Sequence, residues 1–311
     1  MRILLIGGCG FIGHNLTLRL LEDKNITVRV LCRHETPYIN ELIKQSKIEV
    51  FFGDYANVED LLPAINGCDV VYHLATSTIP NSSFNNPVYD IEANLVPSVK
   101  LLKICVDNNI KKLIYASSGG TIYGNHEKHI ISESDDTNPI TPYGIGKLSF
   151  EKFLGMYHSI YGLDYIILRI SNPYGPFHRI GAQQGAVNVF IQKALSLEPL
   201  EVYGDGEIIR DYIYIRDVTD AMHKSLYYHG ECKIFNLGTG VGTSINEVIK
   251  YVESAISDKV TVIRTPSRKL DVHANVLDIK LIKDELDWQP QTTMSAGIKE
   301  TVEWATGSTN T

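Results

Sequence analysis

The sequence predicts an α/β protein with a doubly wound parallel sheet and a smaller α+β lobe. Three observations predict it: strand and helix patterns alternate through the first half, a glycine-rich turn joins the first strand to the first helix, and the alternation stops after residue 172. Strands that alternate with helices are joined by right-handed crossovers, which produces a parallel sheet covered on both faces. The 311 residues suffice for two units with real cores.

The predicted strands of the first half are short apolar runs, with longer helical segments between them. The run RILLIG at 2–7 is apolar almost throughout, as expected of a strand buried on both faces. The other predicted strands are 27–32, 48–54, 69–75, 111–118 and 164–171, and the predicted helices are 11–23, 38–46, 57–66, 88–108 and 141–161. The first unit is therefore expected to span residues 1–172.

The second half is expected to form mainly the smaller, substrate-binding lobe, over 173–311. It opens with NPYGPFHRIGAQQGA, whose proline and glycine spacing excludes a long element. Its candidate strands are 199–204, 210–218, 233–238 and 259–265, and part of it, about 210–250, is expected to return to the first unit. Ligands of such sheets bind outside the carboxyl ends of the strands, so the cleft between the two units is the expected site.

Composition excludes several classes of protein. The formal net charge of −7 argues against a polyanion as the main partner, so no nucleic acid is expected. Five cysteines stand singly and without metal spacing, which predicts a reduced, cytoplasmic protein with no metal site. No stretch of 18 apolar residues occurs, so no membrane span is expected either.

The glycine-rich turn IGGCGFIG predicts a dinucleotide-binding, Rossmann-type site. Gly7, Gly10 and Gly13 follow the first strand and open the first helix, and Phe11 and Ile12 lie between them. Glycines at this spacing allow a tight turn and a close approach of a pyrophosphate to the backbone. The helix N-terminus adds free N–H groups and a favourable dipole. The later FNLGTGVG has alternating glycines and is interpreted as an ordinary strand–turn–helix.

The candidate catalytic pair lies in PYGIGK. Tyr143 and Lys147 are four residues apart, which places them on one face of a helix. A lysine ammonium beside a phenol favours the phenolate and lowers the tyrosine pKa. Such a tyrosine can take a proton from an alcohol, or return one to a carbonyl, while hydride moves to or from the same carbon.

Taken together, these motifs resemble the extended short-chain dehydrogenase/reductase family, in its nucleotide-sugar epimerase/dehydratase group. The resemblance covers nearly the whole chain. Besides the glycine turn and the Tyr–Lys pair, it includes GDYAN (53–57), HLA (73–75), IYG (122–124), LRISNPYGP (168–176), VYGDGEIIRDYIYIRDV (202–218) and SRKLD (267–271).

The resemblance implies a role for each matching residue. Tyr143 would be the catalytic acid/base, and Lys147 would hold the nicotinamide ribose. In the cofactor groove, Asp54 and Tyr55 would lie by the adenine, with Leu74 and Ala75 along the wall. On the substrate side, Asn172 would contact the sugar diphosphate, and Arg210 and Arg268 would neutralise its charge. Asp271 would hold the nucleoside ribose, and Tyr203 would stack on the base.

Two departures from the family pattern bear on the chemistry. Four residues before Tyr123, where a serine or threonine is usual, the chain has Gly119, so the substrate-positioning hydroxyl is assigned to Ser118, with Thr121 or water as alternatives. At the end of the second strand, Cys32 replaces the acid that binds an adenosine ribose, with Arg33 beside it. An arginine there can accept a 2′-phosphate, which favours NADP slightly over NAD.

The expected function is redox at C4 of a nucleotide-activated hexose. The main hypothesis is a UDP-sugar 4-epimerase that works through a transient 4-keto intermediate. The alternative is an NADPH-dependent reductase of a nucleotide 4-keto-6-deoxyhexose. A dehydratase usually carries an Asp–Glu pair where this chain has Gly119, Gly120 and Thr121, and a non-catalytic sensor would lack the Tyr–Lys pair. The resemblance also implies a homodimer, paired through the helices near 88–108 and 143–161.

Overall fold

The computed structural model describes residues 1–126, 130–179, 181, 185–267 and 272–308. Within these ranges the strands are β1 (Arg2–Ile6), β2 (Thr27–Cys32), β3 (Glu49–Phe52), β4 (Val70–His73), β5 (Lys112–Ser118), β6 (Ile130–Ile131), β7 (Asp164–Ile170), β8 (Asn172–Tyr174), β9 (Leu200–Tyr203), β10 (Ile209–Tyr214), β11 (Ile234–Leu237), β12 (Gly242–Ser244), β13 (Val262–Thr265) and β14 (Ala274–Leu277). All six strands predicted in the first half are present.

The α-helices in the same ranges are α1 (Phe11–Leu21), α2 (Pro37–Lys44), α3 (Val58–Ile65), α4 (Pro80–Ser83), α5 (Pro87–Asp90), α6 (Val96–Asp107), α7 (Pro142–Tyr161), α8 (Ala186–Leu195), α9 (Ile215–Leu226), α10 (Ile245–Ile256), α11 (Lys280–Leu286) and α12 (Met294–Ser308). The segment 210–218, predicted as a strand, divides instead between β10 and the first turn of α9. None of these helices combines the length and apolar composition that a bilayer crossing requires.

The largest layer is a parallel sheet with strand order β3–β2–β1–β4–β5–β7–β11. The chain winds outward from β1 in one direction and then from β4 in the other, which confirms the predicted doubly wound fold. The turns that leave β1 and β4 lie side by side at the carboxyl edge, where such sheets bind ligands.

Alternate side chains of each central strand pack on opposite faces of this sheet. From β1, Ile3 and Leu5 face a core that includes residues of α1 and α9, whereas Leu4 and Ile6 face a core built with α3, α6 and α7. These four side chains, Ile3 to Ile6, are at most 1% exposed. Burial on both faces explains why these strands are apolar throughout.

The second half contributes two smaller sheets. One has the order β12–β10–β14–β6, with β8 also pairing with β10, and the other pairs β13 with β9. The carboxyl ends of β5 and β7 meet this region, because the Asn275 side chain of β14 donates to the Gly119 carbonyl at 3.1 Å. The cleft is therefore bounded by the large sheet and the β10–β14 sheet.

The helix predicted at 88–108 is interrupted by a π-turn, Ile91–Leu95, between α5 and α6. Pro97 has no N–H to donate to the Ala93 carbonyl, so the α-helical ladder cannot continue there. Side-chain hydroxyls lie near two carbonyls of this turn: the Tyr55 hydroxyl is 3.4 Å from the Ala93 oxygen, and Ser98 donates to the Asn94 oxygen at 2.6 Å.

Candidate active site

The turn after β1 has no room for side chains at two of its glycines. Gly7 has φ +89°, and a Cβ there would lie 2.8 Å from the Ala75 nitrogen. A Cβ on Gly13 would lie 2.4 Å from the Gly7 carbonyl oxygen. Both neighbours are backbone atoms, so a larger residue would displace the turn. This packing keeps side chains away from the surface that a pyrophosphate would approach.

The N-terminus of α1 faces the same side of the turn. Gly10 is the N-cap and supplies no side-chain acceptor, and no acidic residue lies in the first turn. The N–H groups at Phe11 and Ile12 therefore remain available to an external acceptor, as the first N–H groups of a helix are. An uncapped helix N-terminus behind a glycine turn fits a dinucleotide phosphate.

The groove continues along the ends of β2 and β3. Arg33 is exposed, and the Gly53 N–H donates to the Cys32 carbonyl at 3.0 Å, which holds the two strand ends together. Asp54 accepts from the backbone N–H of Ala56 at 3.0 Å. Tyr55 is only 8% exposed, and burial raises its pKa to about 12. Its ring packs inside the sheet layer, whereas Arg33 is exposed and Asp54 is half-buried at the same strand ends.

Leu74 and Ala75 lie beside the glycine turn. The Leu74 N–H donates to the Ile6 carbonyl at 3.0 Å, which extends the β1–β4 pairing by one residue. Ala75 makes the backbone contact with Gly7 described above. The structure therefore places these two residues on the opposite wall of the groove from Arg33.

Tyr143 and Lys147 project from the first two turns of α7. Thr141 is the N-cap of this helix, and its hydroxyl accepts from the Gly144 N–H at 3.0 Å. The Tyr143 N–H donates to the Ser83 hydroxyl at 3.3 Å. Lys147 donates to the Ala116 carbonyl of β5 at 2.8 Å, and its nitrogen lies 5.5 Å from the centre of the Tyr143 ring. The two predicted catalytic side chains are thus neighbours.

Burial dominates the electrostatics of this pair. Burial raises the pKa of Tyr143 well above its ordinary value, and the negative charge of Asp90 raises it further. Burial also lowers the pKa of Lys147 to about 8, whereas the carboxylates of Glu151 and Asp90 act in the opposite direction. The expected lowering of the Tyr143 pKa by Lys147 is therefore absent in the protein alone, because desolvation of the phenolate outweighs the ammonium.

Asp90 is a buried carboxylate of the site that the sequence pattern did not reveal. It is 1% exposed, accepts from the Thr78 hydroxyl and lies 3.2 Å from the Asn94 amide nitrogen. Its other oxygen would lie 3.3 Å from a Cβ on Gly146, between Tyr143 and Lys147. Because 88–108 looked like a uniform helix, nothing in its spacing distinguished Asp90 from a surface residue.

Ser118, Gly119 and Thr121 form the turn that leaves β5. Ser118 pairs with Ile170 of β7 and is partly buried, at the same edge as Tyr143. The Thr121 hydroxyl is buried and has no hydrogen-bond partner among the described residues. The turn therefore offers two hydroxyls, those of Ser118 and Thr121, close to α7.

The space of a side chain at Gly119 is already filled. A Cβ there would lie 2.5 Å from Leu277 Cδ1 and 2.9 Å from the Arg169 carbonyl oxygen. At Gly120, the nearest atom to a Cβ is the Asn172 side-chain oxygen at 4.0 Å. A serine or threonine side chain at position 119 therefore does not fit into this chain without movement of Leu277 and of the Arg169 backbone.

We expect Gly119→Ser to destabilise the fold by about 1–3 kcal/mol, as overpacking of a core does. Gly120→Ser is the matched control and should change the free energy of unfolding by less than about 1 kcal/mol, because its site has room. Denaturant unfolding of the two variants checks this. Equal losses in the free energy of unfolding would show that Leu277 does not block a side chain at position 119.

Asn172 of β8 and Arg210 of β10 both belong to the smaller β10–β14 sheet that bounds the cleft. Asn172 donates to the Asp211 carbonyl at 2.9 Å, and Arg210 donates to the Val272 carbonyl at 2.6 Å. Asp211 is fully buried and accepts from the Thr239 N–H at 2.8 Å, which ties β10 to the turn after β11. Asp211 is thus a positioning residue that spacing did not predict.

Of the three other predicted substrate residues, the structure describes Tyr203 alone. Tyr203 ends β9, and its neighbour Gly204 would place a Cβ 3.4 Å from Ser267. Arg268 and Asp271 lie outside the described residues. Their flanking residues, Ser267 and Val272, adjoin Gly204 and Arg210.

A buried ion pair connects α7 to the large sheet. Glu151 and Arg169 are 1% and 3% exposed at their side chains and approach to 2.7 Å. Glu151 also accepts from the Ser117 hydroxyl at 2.6 Å, and Arg169 donates to the Tyr123 hydroxyl at 2.9 Å. This pair connects α7, β5 and β7 one turn beyond Lys147.

The cysteines differ from the prediction of five separate thiols. Cys9 of the glycine turn and Cys32 at the end of β2 form a disulfide with a Cα–Cα distance of 5.9 Å. The sequence places them 23 residues apart, and only the parallel pairing of β1 with β2 brings them together. Cys68, Cys105 and Cys232 are free. Within the described ranges, no three histidine, cysteine or acidic side chains converge as a metal-binding group.

Curated relatives match this chain over nearly its whole length. A putative UDP-glucose 4-epimerase of Methanocaldococcus jannaschii is 34% identical, with 99% of this chain and 100% of that protein covered. A dTDP-4-dehydro-6-deoxyglucose reductase of Escherichia coli is 30% identical, with 96% of both chains covered.

Solved structures share the fold. The UDP-glucose 4-epimerase of Thermotoga maritima with UDP-glucose has a TM-score of 0.93 at 32% identity, over 99% of this chain and 100% of that one. The UDP-glucose 4-epimerase of Thermus thermophilus in complex with NAD has a TM-score of 0.91 at 32% identity, over 99% of both chains. The model of the NAD dependent epimerase/dehydratase family matches residues 3–238. The chain therefore belongs to the NAD dependent epimerase/dehydratase family.

Proposed function

We propose that the protein is a UDP-sugar 4-epimerase that retains its dinucleotide through the reaction. The observation that carries the proposal is the placement of Tyr143 beside Lys147 at the carboxyl edge of the sheet, next to the glycine turn and Ser118. An acid/base and a dinucleotide groove at one edge suit oxidation and re-reduction of one carbinol carbon.

Tyr143 takes the proton of the C4 hydroxyl and returns it after the sugar has turned over. When bound, the dinucleotide supplies the acceptor and the donor of the C4 hydride. Lys147 stays mainly protonated at neutral pH, since its pKa of about 8 lies above 7, and its positive charge opposes the burial penalty on the phenolate. Ser118, with Thr121 as the alternative, holds the sugar hydroxyl.

Asn172, Tyr203 and Arg210 are proposed to hold the nucleoside diphosphate. They lie on the second-lobe side of the cleft, and a guanidinium suits phosphate oxygens through its forked donors. Arg268 and Asp271 remain predicted members of the same set. Gly119 contributes backbone only, because its side-chain space is filled by Leu277.

We propose NAD, and not the NADP that Arg33 favoured, as the cofactor. A related epimerase with 32% identity was solved with NAD. Arg33 is exposed, so its side chain can remain solvated without serving a phosphate. Release of the bound nucleotide and titration with NAD and NADP decide between them, and a clear NADP preference would assign Arg33 to the 2′-phosphate.

A reductase of a nucleotide 4-keto-6-deoxyhexose is the second candidate, favoured by the Escherichia coli relative. The two functions differ in net redox. The epimerase interconverts UDP-glucose and UDP-galactose, or their N-acetyl or uronic acid counterparts, without consuming reductant. The reductase oxidises one NADPH for each sugar reduced.

The deciding experiment incubates the purified protein with these UDP-sugars and no added reductant, and measures the epimeric products by chromatography. Interconversion supports the proposal. Absence of interconversion, together with NADPH consumption on a 4-keto-6-deoxy sugar nucleotide, would replace the epimerase by the reductase.

We also propose that the protein is cytoplasmic and serves a polysaccharide pathway. The division into a dinucleotide-binding unit, 1–172, and a mainly substrate-binding lobe, 173–311, with about 210–250 returning to the first unit, is likewise a proposal.

A homodimer is proposed through α5, α6 and α7. On α7, Ile145, Met156 and Ile160 share one face and are 53%, 42% and 62% exposed. On the neighbouring helices, Val88 and Val96 are 63% and 42% exposed. An apolar stripe on two adjacent helices is suited to pairing with its own copy.

We expect light scattering to give twice the chain mass at micromolar concentration. Ile160→Glu should shift the protein to monomer, because it places a charge in the paired apolar face. Leu197→Glu is the control, since Leu197 is 88% exposed beyond α8 and should leave the dimer intact. A monomeric parent protein would contradict the proposed pairing.

A further inference from the structure

We propose that Cys9 and Cys32 form a reversible dithiol–disulfide site that small-molecule disulfides oxidise and that competes with the dinucleotide. The proposal rests on the dinucleotide site proposed above and is independent of the sugar reaction. Its basis is the position of the bridge: it joins the glycine turn to the end of β2.

The two sulfurs occupy the two places where a dinucleotide meets this fold. Cys9 lies between Gly7 and Gly10, in the turn that approaches a pyrophosphate. Cys32 occupies the strand end that usually holds the adenosine ribose. The bridge therefore runs along the surface that the adenosine half of the cofactor would cover.

The surroundings favour reaction at this pair over the buried Cys68 and Cys105. Cys9 is partly exposed and precedes the N-terminus of α1, and the exposed Arg33 follows Cys32. Positive charge and a helix N-terminus stabilise the negative charge of a reacting sulfur. By contrast, Cys105 is fully buried, and burial raises the pKa of its thiol well above the ordinary value.

The reaction is thiol–disulfide exchange in two steps. The Cys9 thiolate attacks one sulfur of the small disulfide, forms a mixed disulfide and releases one thiolate. The Cys32 thiolate, 6% exposed and adjacent, then attacks the Cys9 sulfur and releases the second thiolate. The two protein thiols are oxidised, the small disulfide is reduced to two thiols, and the two protons pass to these products.

Oxidation and cofactor binding should oppose each other. In the bridged form the Cys32 sulfur has no S–H to offer a ribose hydroxyl, and the turn is tied to β2. Loss of about one hydrogen bond corresponds to about tenfold weaker binding of the dinucleotide. By thermodynamic linkage, bound dinucleotide should disfavour the bridge by the same factor.

The test uses the full chain, reduced and freed of bound nucleotide, with glutathione disulfide as the probe. Thiols are counted after denaturation, with and without saturating NAD during the oxidation. The expected count falls from five to three without NAD, with peptide mapping locating the bridge at Cys9–Cys32. NAD should slow this loss, and the oxidised protein should bind NAD about tenfold more weakly until a reducing agent restores it.

Two variants make the test specific. Cys32→Ser should stop at a mixed disulfide on Cys9, seen by intact mass, whereas Cys232→Ser should form the bridge as the parent does. Two results would overturn the proposal. One is a thiol count that stays at five; the other is a bridge that forms at the same rate with NAD and leaves the affinity for NAD unchanged. Failure of the reduced protein to bind any dinucleotide would instead refute the proposed function and, with it, the competition.

Discussion

Tyr143→Phe should lower the turnover number about a thousandfold, within the range of a positioned acid/base. The variant lacks only the phenolic oxygen, so C4 loses the group that takes and returns its proton. The Tyr143 backbone N–H still donates to Ser83, and Lys147 keeps its bond to the Ala116 carbonyl. Bound dinucleotide and the free energy of unfolding should therefore change little.

Tyr161→Phe is the matched control. It removes the same oxygen from the same helix, but Tyr161 is 51% exposed at the other end of α7. The two variants are compared by steady-state turnover of the preferred UDP-sugar and by the nucleotide released on denaturation. Near-normal turnover in Tyr143→Phe would remove Tyr143 from the catalytic role. Loss of bound nucleotide would show instead that it serves the cofactor.

The sequence predicted those parts of the site that depend on local spacing. Gly7, Gly10 and Gly13 lie within one turn between a strand and a helix, and Tyr143 and Lys147 lie one helical turn apart. Spacings of this kind place the same side chains together wherever the segment forms a helix. The strands were equally predictable, because a strand buried on both faces has an apolar run such as Ile3–Ile6.

Features that depend on tertiary contact were beyond the sequence pattern. The pairing of Cys9 with Cys32 requires the parallel register of β1 and β2, which the sequence does not display as a spacing. Gly119 looked like a missing hydroxyl, and only the position of Leu277 shows why no side chain fits there. The π-turn before Pro97 likewise places Asp90 toward α7, where a regular helix was expected.

The pKa of Tyr143 was misjudged for a related reason. Spacing shows the nearby ammonium of Lys147, but it does not show how little water reaches either group. Burial raises the pKa of Tyr143 and lowers that of Lys147, so each charged form is disfavoured in the protein alone. The carboxylates of Glu151 and Asp90 raise the pKa of Lys147 and so favour its charged form.

Glu151→Gln should destabilise the protein by about 3–5 kcal/mol, because it leaves the buried Arg169 guanidinium without its counter-ion. The pair is at most 3% exposed, so bulk solvent has little access to compensate the lost charge. The variant also removes the carboxylate that opposes burial at Lys147, so the pKa of Lys147 should fall below about 8. Denaturant unfolding measures the first effect and lysine NMR titration the second.

Glu303→Gln provides the comparison for an exposed pair. Glu303 lies 3.9 Å from Lys299 on α12, with both side chains more than 60% exposed. Surface pairs of this kind contribute about 0–1 kcal/mol, so this variant should unfold close to the parent. Similar losses in the two variants would mean that the Glu151–Arg169 pair does not hold α7 against β5 and β7. A large loss in Glu151→Gln alone would place the support of the catalytic helix in that buried pair.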